Sequence, residues 1–247
     1  MSGHSKWHNI RLKKAKVDAQ RSNIISKALR DVMLAARHGG GKSEGNFRLK
    51  IAIERARAAD VTLDGINRAI KRGTGEGEGG ALLELTYEAY GPGGTAILIE
   101  AATDNRNRTA SDIRFICSKH GGRLAEVGAV AWMFEQKGLV ELDKEGLSED
   151  DALALAIDAG AEDMKSVEDV YEIYTGPSDL ESVRNKLEDA KARIVSSELT
   201  MVPKTSMVLE GDDADRMLRL LDALEGQDDV SNVHTNFDMP EDVVPAE

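Results

Sequence analysis

Arg68-Ala69-Ile70-Lys71-Arg72-Gly73-Thr74-Gly75-Glu76-Gly77-Glu78-Gly79-Gly80 divides this chain of 247 residues into two unlike parts. From Gly73 to Gly80 the run has five glycines and no apolar side chain, the composition of a flexible linker. No Gly-Lys-Ser/Thr follows, so it is not a phosphate loop. Before it, apolar residues recur at helical period; after it, short strand-like runs alternate with helical ones. Charge changes at the same place. Residues 1–72 hold 17 Lys+Arg against 6 Asp+Glu, a net of +11, while the remaining residues hold 15 against 38, a net of -23. The overall charge of -12 conceals a cationic segment, and such a segment predicts a polyanionic partner.

Working back from the linker, a short helix capped by Thr62 or Asp64 is expected to pack Leu63, Ile66 and Ile70. Lys71 and Arg72 close it, cations that suit the negative end of the helix dipole. A second helix is predicted after Asn46, turning Leu49, Ile53 and Ala56 inward. Between Lys16 and His38, the residues Ile24, Ile25, Ala28, Leu29, Val32, Met33 and Ala36 form one stripe, with Arg21, Arg30 and Arg37 largely away from it. Gly39-Gly40-Gly41 ends that helix, since glycine accepts the left-handed cap conformation. Residues 1–75 thus read as a small basic helical bundle.

The first 21 residues have too little apolar material to pack alone. They carry Lys6, Arg11, Lys13, Lys14, Lys16 and Arg21 against one acid, Asp18, with His4, Trp7 and His8 interleaved. Cations of this density neutralise phosphates and release counterions. Trp7 offers a face on which a base can stack, or alternatively an apolar peg that pins the arm to the bundle. His4 and His8 stand at i, i+4 spacing without further ligand candidates, so no metal site is expected.

Beyond the linker, Leu82 to Tyr90 and Thr95 to Ala101 read as strands joined by Gly91-Pro92-Gly93-Gly94. A glycine-rich anion cradle is the alternative for that turn. Thr103-Asp104-Asn105-Arg106-Asn107-Arg108-Thr109 leads into a helix with Ile113, Ile116 and Cys117 inward, and Thr109 with Asp112 resembles a capping box. Arg106 and Arg108 either hold an anion such as phosphate near the helix start or tie the loop to acidic neighbours; binding is the favoured role. Cys117 reads as a small core residue. From Ala131 onward 10 Lys+Arg face 30 Asp+Glu. Strands are expected around Val140, from Val170 to Thr175, from Glu198 to Val202, at Met207 to Leu209 and around Val233. Helices are expected from Ser148 to Ala159, about Leu180 to Ala190, and about Met217 to Leu224. The acidity suits a solvated surface, or a docking surface for a basic protein.

The segment 82–130 has too few strands to cover its own helix. Element counting therefore joins 82–130 with 205–240 as one discontinuous α+β domain and makes 131–204 an inserted acidic α+β domain. The predicted fold class is α+β multidomain: an N-terminal small helical bundle plus two small α/β-sandwich-like domains, the second inserted into the first.

These residues resemble the YebC/PmpR family, which includes the mitochondrial translational activators. The resemblance lies in Gly3-His4-Ser5-Lys6-Trp7, Asn9-Ile10, Lys14, Arg21, Ala35 to Gly40 and Arg68 to Gly75. It continues in Tyr87 to Gly94, Thr103 to Thr109, Ser118 to Gly122 and Val130 to Phe134, nearly the whole chain. Asp60-Val61-Thr62-Leu63 departs from the usual Asn-Met-Pro helix entry, and Ile25 stands where Phe is usual. The resemblance implies three domains in a curved arrangement and a nucleic-acid-related function. Members are commonly classed as DNA-binding transcriptional regulators; others resemble ribosome-associated translation factors that relieve stalling, notably at proline-rich stretches.

The expected function is a nucleic-acid-binding regulatory protein, a DNA-binding transcriptional regulator, with a ribosome-associated translation factor contacting ribosomal RNA as the alternative. Against the first stands the long Gly39 to Gly45 connection, unlike a helix-turn-helix. The binding candidates are Lys6, Trp7, Arg11, Lys13, Lys14, Lys16, Arg21, Arg106 and Arg108, with the outer helix faces. No catalytic residue, cofactor or metal is expected: the five histidines are dispersed, and His120, Glu100 and Asp104 make no recognisable constellation. No run approaches the ~18–20 apolar residues of a membrane span. The start is polar and cysteine occurs once, so a cytoplasmic protein without disulfides is expected. Oligomeric state is not legible.

Overall fold

The computed structural model describes residues 18–76, 82–167 and 169–240, with side chains from Asn23 onward. The fold is α+β: three helices, then two antiparallel four-stranded sheets, each with a pair of helices.

Helices α1 (Asp18–Gly39), α2 (Phe47–Ala58) and α3 (Leu63–Gly73) enclose a core rich in alanine, with Ala28, Val32, Ala35, Leu49, Ala52, Ala56 and Ile66 buried. Small side chains let the axes approach closely. At Gly73 a Cβ would lie 2.2 Å from the Met33 carbonyl oxygen, so the glycine sits inside α3 as a contact point, not just beyond it. Asn46 sets the turn between α1 and α2. Its side chain caps α2 by accepting from the Leu49 N–H at 3.0 Å and donates to the carbonyls of Ala35 and Gly40 at 2.7 and 2.9 Å. Thr62 caps α3, accepting from Gly65 N–H at 3.2 Å. Two of the predicted inward residues face water instead: Leu63 is 61% exposed and Ile24 42%. The apolar stripe is wider than the surface available to cover it.

The first sheet has the order β3-β1-β2-β9, from β1 (Leu83–Tyr90), β2 (Ala96–Thr103), β3 (Arg123–Leu124) and β9 (Val230–Thr235). On one face lie α4 (Arg106–Lys119) and α7 (Gly211–Glu225), with Ile97, Ile99, Ile113, Cys117, Met217 and Leu220 in a shared core. On the other face Ala96 and Leu98 pack with Val130 and Phe134. Burial on both faces explains why β2 reads as a continuous apolar run. The turn at Gly91 to Gly94 is a packing element: a Cβ on Gly93, whose φ is +67°, would meet Leu209 at 2.4 Å, and one on Gly91 would meet Met217 at 2.7 Å.

The second sheet lies in sequence between strands of the first. Its order is β5-β6-β4-β7, with β4 (Phe134–Asp143), β5 (Asp163–Val167), β6 (Val170–Thr175) and β7 (Ile194–Pro203). Helices α5 (Glu149–Ala159) and α6 (Leu180–Asp189) cover it through Ala152, Ala156, Val183 and Leu187 on Val140, Leu142 and Ile173. β7 is longer than expected. As an edge strand it tolerates Pro203 at its last position, paired opposite Phe134. A short parallel pair, β8 (Met207–Val208) with β10 (Phe237–Asp238), completes the described fold.

Candidate nucleic-acid interface

α1 lies against the first sheet through its cations. Asn23, Lys27 and Arg30 follow each other at helical spacing and donate to the carbonyls of Gly226, Glu225 and Asp228, where α7 ends. Asn23 and Lys27 thus satisfy free carbonyls at the helix C-terminus, where the Lys27 charge also suits the dipole, and Arg30 takes a carbonyl just past it. Further along, Arg37 donates to the Leu82 carbonyl, and His38 and Arg48 both meet the Glu84 carboxylate. α2 turns to the second sheet: Arg55 pairs with Glu198, Glu54 meets Arg184 at 2.8 Å, and Ile51 joins the second sheet's core. The outer helix faces expected to meet nucleic acid are therefore partly internal. Part of the positive charge of residues 1–72 neutralises the acidic remainder of the same chain, because the helices dock on it.

The centre of this docking is Asp229. Its Oδ2 accepts from the hydroxyls of Thr109 (2.7 Å) and Thr103 (3.2 Å) and from the Arg108 guanidinium (3.0 Å), while Arg30 lies 3.8 Å from Oδ1. Burial pushes the Asp229 carboxyl up, but these donors outweigh it and hold it below the ordinary carboxylate value. The Thr103 to Thr109 motif is thus a binding pocket for a carboxylate of the same chain. The helix starts earlier than the Thr109–Asp112 capping box implied: Asn105 is the N-cap, accepting from Arg108 N–H at 3.1 Å, and this leaves Thr109 buried and free to turn inward.

A groove of about 730 Å³ opens beside this centre, lined by Arg30, Arg68, Lys71, Arg72, Arg108 and apolar Met33 among others. Lys71 and Arg72 are exposed, and their side chains make no hydrogen bond or ion pair with the described residues. Among the described residues Arg68 pairs only with Asp64, one helical turn back, at 3.2 Å. Arg108 is tied to Asp104 (2.9 Å) and Asp229, so its guanidinium is already engaged. Arg106 is exposed; its backbone carbonyl accepts from the Tyr87 hydroxyl at 3.3 Å, and no carboxylate pairs with its guanidinium among the described residues. Lys6, Trp7, Arg11, Lys13, Lys14 and Lys16 lie outside the described residues. For Arg21 the structure gives a place in α1 and no side-chain environment. Lys71 and Arg72 were legible in sequence as helix-end cations; only the fold reveals that they face a groove.

Among the described residues no cluster of His, Cys, Asp and Glu can hold a metal ion, and no helix is long and apolar enough to cross a membrane.

A three-helix unit docked electrostatically on two sheets, around the Thr103 to Thr109 motif, corresponds to known families over both parts of the chain. Residues 5–76 match the TACO1/YebC protein N-terminal domain, and residues 82–237 match the TACO1/YebC second and third domain. A "Probable transcriptional regulatory protein" of Pelotomaculum thermopropionicum is 54% identical over 241 residues, 97% of this chain and 99% of the relative. A protein of the same description from Chlorobaculum parvum is 48% identical over 247 residues, 100% and 98% of the two chains. The crystal structure of a conserved hypothetical protein from Aquifex aeolicus superposes with a TM-score of 0.88 at 43% identity, covering 94% of this chain and 96% of that one. The chain belongs to the TACO1/YebC family, and its relatives carry the name "Probable transcriptional regulatory protein".

Proposed function

We propose that this protein is a cytoplasmic nucleic-acid-binding regulator, a DNA-binding transcriptional regulator that binds and does not catalyse. One observation carries the reading: Lys71 and Arg72 stand at the rim of a basic groove without partners among the described residues, while their neighbours Arg30 and Arg108 are held in place by Asp229. Free cations beside fixed ones present phosphates with a charged, shaped edge. The cations of residues 1–21 and the exposed Arg106 add to the positive charge available for such contacts. On this reading 1–75, 82–130 with 205–240, and 131–204 act as three domains: one for contact, one for support and one acidic domain.

A second reading has a specific observation behind it. α2, the second helix of the pair, is engaged with the second sheet through Ile51, Glu54 and Arg55, so it is not available to lie in a DNA major groove. Contact through phosphates and shape suits ribosomal RNA, which makes a ribosome-bound translation factor the alternative.

Fluorescence anisotropy with promoter duplex and with ribosomal RNA fragments, together with ribosome co-sedimentation, tests both. Lys71→Glu and Arg72→Glu are expected to weaken binding on any sequence and to lower the log–log salt slope by about 0.9 per lost duplex phosphate contact. Co-sedimentation with ribosomes and no protection of specific promoters selects the second reading. Binding to neither partner at low salt overturns both.

A further inference from the structure

The segment between β3 and β4 holds apolar side chains out in water on a backbone that is tied down. Val127 is 94% exposed and Trp132 67%. Beneath them the buried Glu88 carboxylate of β1 accepts from the N–H groups of Gly128 (2.6 Å), Val130 (2.6 Å) and Ala131 (2.8 Å). Burial pushes this carboxyl up, yet the backbone donors outweigh it and it stays below the ordinary value. The Ala129 carbonyl then accepts from both the Tyr90 hydroxyl (3.3 Å) and the Trp132 indole N–H (3.1 Å). The indole is fixed through its one polar atom while most of its surface faces solvent. Ordering such a ring on a ligand costs little, because it is already ordered.

Two cations belong to the same cluster of contacts. Lys204 donates to the Trp132 carbonyl at 2.8 Å, and Arg123 lies over the Tyr90 ring at 4.8 Å. Both are exposed, and neither pairs with a carboxylate among the described residues. A rigid exposed indole, with one cation on its own backbone carbonyl and another on the tyrosine that shares the Ala129 carbonyl with it, offers a π-face for an unpaired base and charges for its phosphates.

We propose that Trp132, with Arg123 and Lys204, forms a stacking site for an unpaired base of single-stranded nucleic acid. It rests on the nucleic-acid reading above but uses residues remote in sequence from the Lys71–Arg72 rim.

Trp7 and Trp132 are the two tryptophans of the chain, so Trp7→Phe leaves Trp132 as the sole indole reporter. All variants are compared in that background. An oligothymidylate strand is titrated and read by both tryptophan emission and anisotropy of a labelled copy; a blunt duplex runs in parallel. Saturable quenching by the single strand with the anisotropy midpoint is expected. Trp132→Ala is expected to weaken binding about 5- to 150-fold, and Trp132→Phe to keep most of it. Arg123→Glu and Lys204→Glu are each expected to lower the salt slope by about 0.7. Circular dichroism and thermal melting confirm that each variant folds. If the strand binds by anisotropy while emission and Trp132→Ala affinity stay unchanged, this site is overturned and the nucleic-acid reading stands. If neither the strand nor the duplex binds, and Lys71→Glu changes nothing on ribosomal RNA, both are overturned.

Discussion

Thr109 Oγ1 donates a 2.7 Å hydrogen bond to Oδ2 of Asp229, joining positions 120 apart in sequence. The same oxygen receives Thr103 and Arg108, so one buried carboxylate fixes the end of β2, the start of α4 and the segment before β9. Asp229→Asn removes the charge these donors surround and is expected to destabilise by about 2–4 kcal/mol at neutral pH, a fall in Tm on the order of 10 °C. The folded pKa is depressed, so this stability is present above the ordinary carboxylate value and is lost as pH falls through the folded pKa. Calorimetry at neutral and strongly acidic pH should show the gap between wild type and variant closing in acid.

Glu84 between His38 and Arg48 holds the α1–α2 end against the first sheet. Burial raises its carboxyl, but the His38 and Arg48 partners bring it below the ordinary value, so its contribution too fades in acid. The site is part exposed, and Glu84→Gln is expected to cost about 0.2–1 kcal/mol at low salt and almost nothing near 1 M salt. Denaturant melts at the two salt concentrations measure the difference.

Asp31 behaves in the opposite way. It lines a cavity of about 560 Å³ where α1 and α2 face both sheets, and burial raises its carboxyl despite Arg55, Arg48, Lys27 and Arg30 nearby. A raised carboxyl pKa lowers stability as pH rises toward and through the folded pKa. Asp31→Asn is therefore expected to raise Tm at neutral pH by roughly 2–4 °C for each kcal/mol gained, with no gain below the ordinary carboxylate range. Thermal melts across pH decide the sign.

Cys117 is fully buried on α4, and burial pushes its thiol up to about 11. Thiolate is the reactive form, so iodoacetamide at neutral pH should label native protein very slowly and urea-unfolded protein readily. Mass spectrometry of the two samples reads the contrast.

Much of the architecture was legible because it is local. Asn46 and Thr62 announce their caps, and the Gly91 to Gly94 turn announces a hairpin. Arg30 shows where legibility ends. Its place off the apolar stripe is readable, but whether that face meets water, a ligand or another part of the chain depends on contacts about 200 positions away. Thr109 failed for the same reason: a threonine followed by an acid three residues on looks like a cap until Asp229 is seen beneath it. Of the candidate binding set, Arg108 is engaged internally, whereas Lys71 and Arg72 gained interest only once the groove beside them was visible.

The place of β9 has a consequence for biosynthesis. β2 pairs with β9 from Ile97 to Ala101, and the core under it is filled by α7. Both partners leave the ribosome more than a hundred residues after β2 does, when the whole second sheet is already available to fold. A nascent chain halted near residue 204 would carry a complete second sheet beside an incomplete first one, with Ile97, Ile99 and Ile113 still seeking cover. Quality control should therefore recognise C-terminally truncated products of this gene more readily than products shortened at the N-terminus.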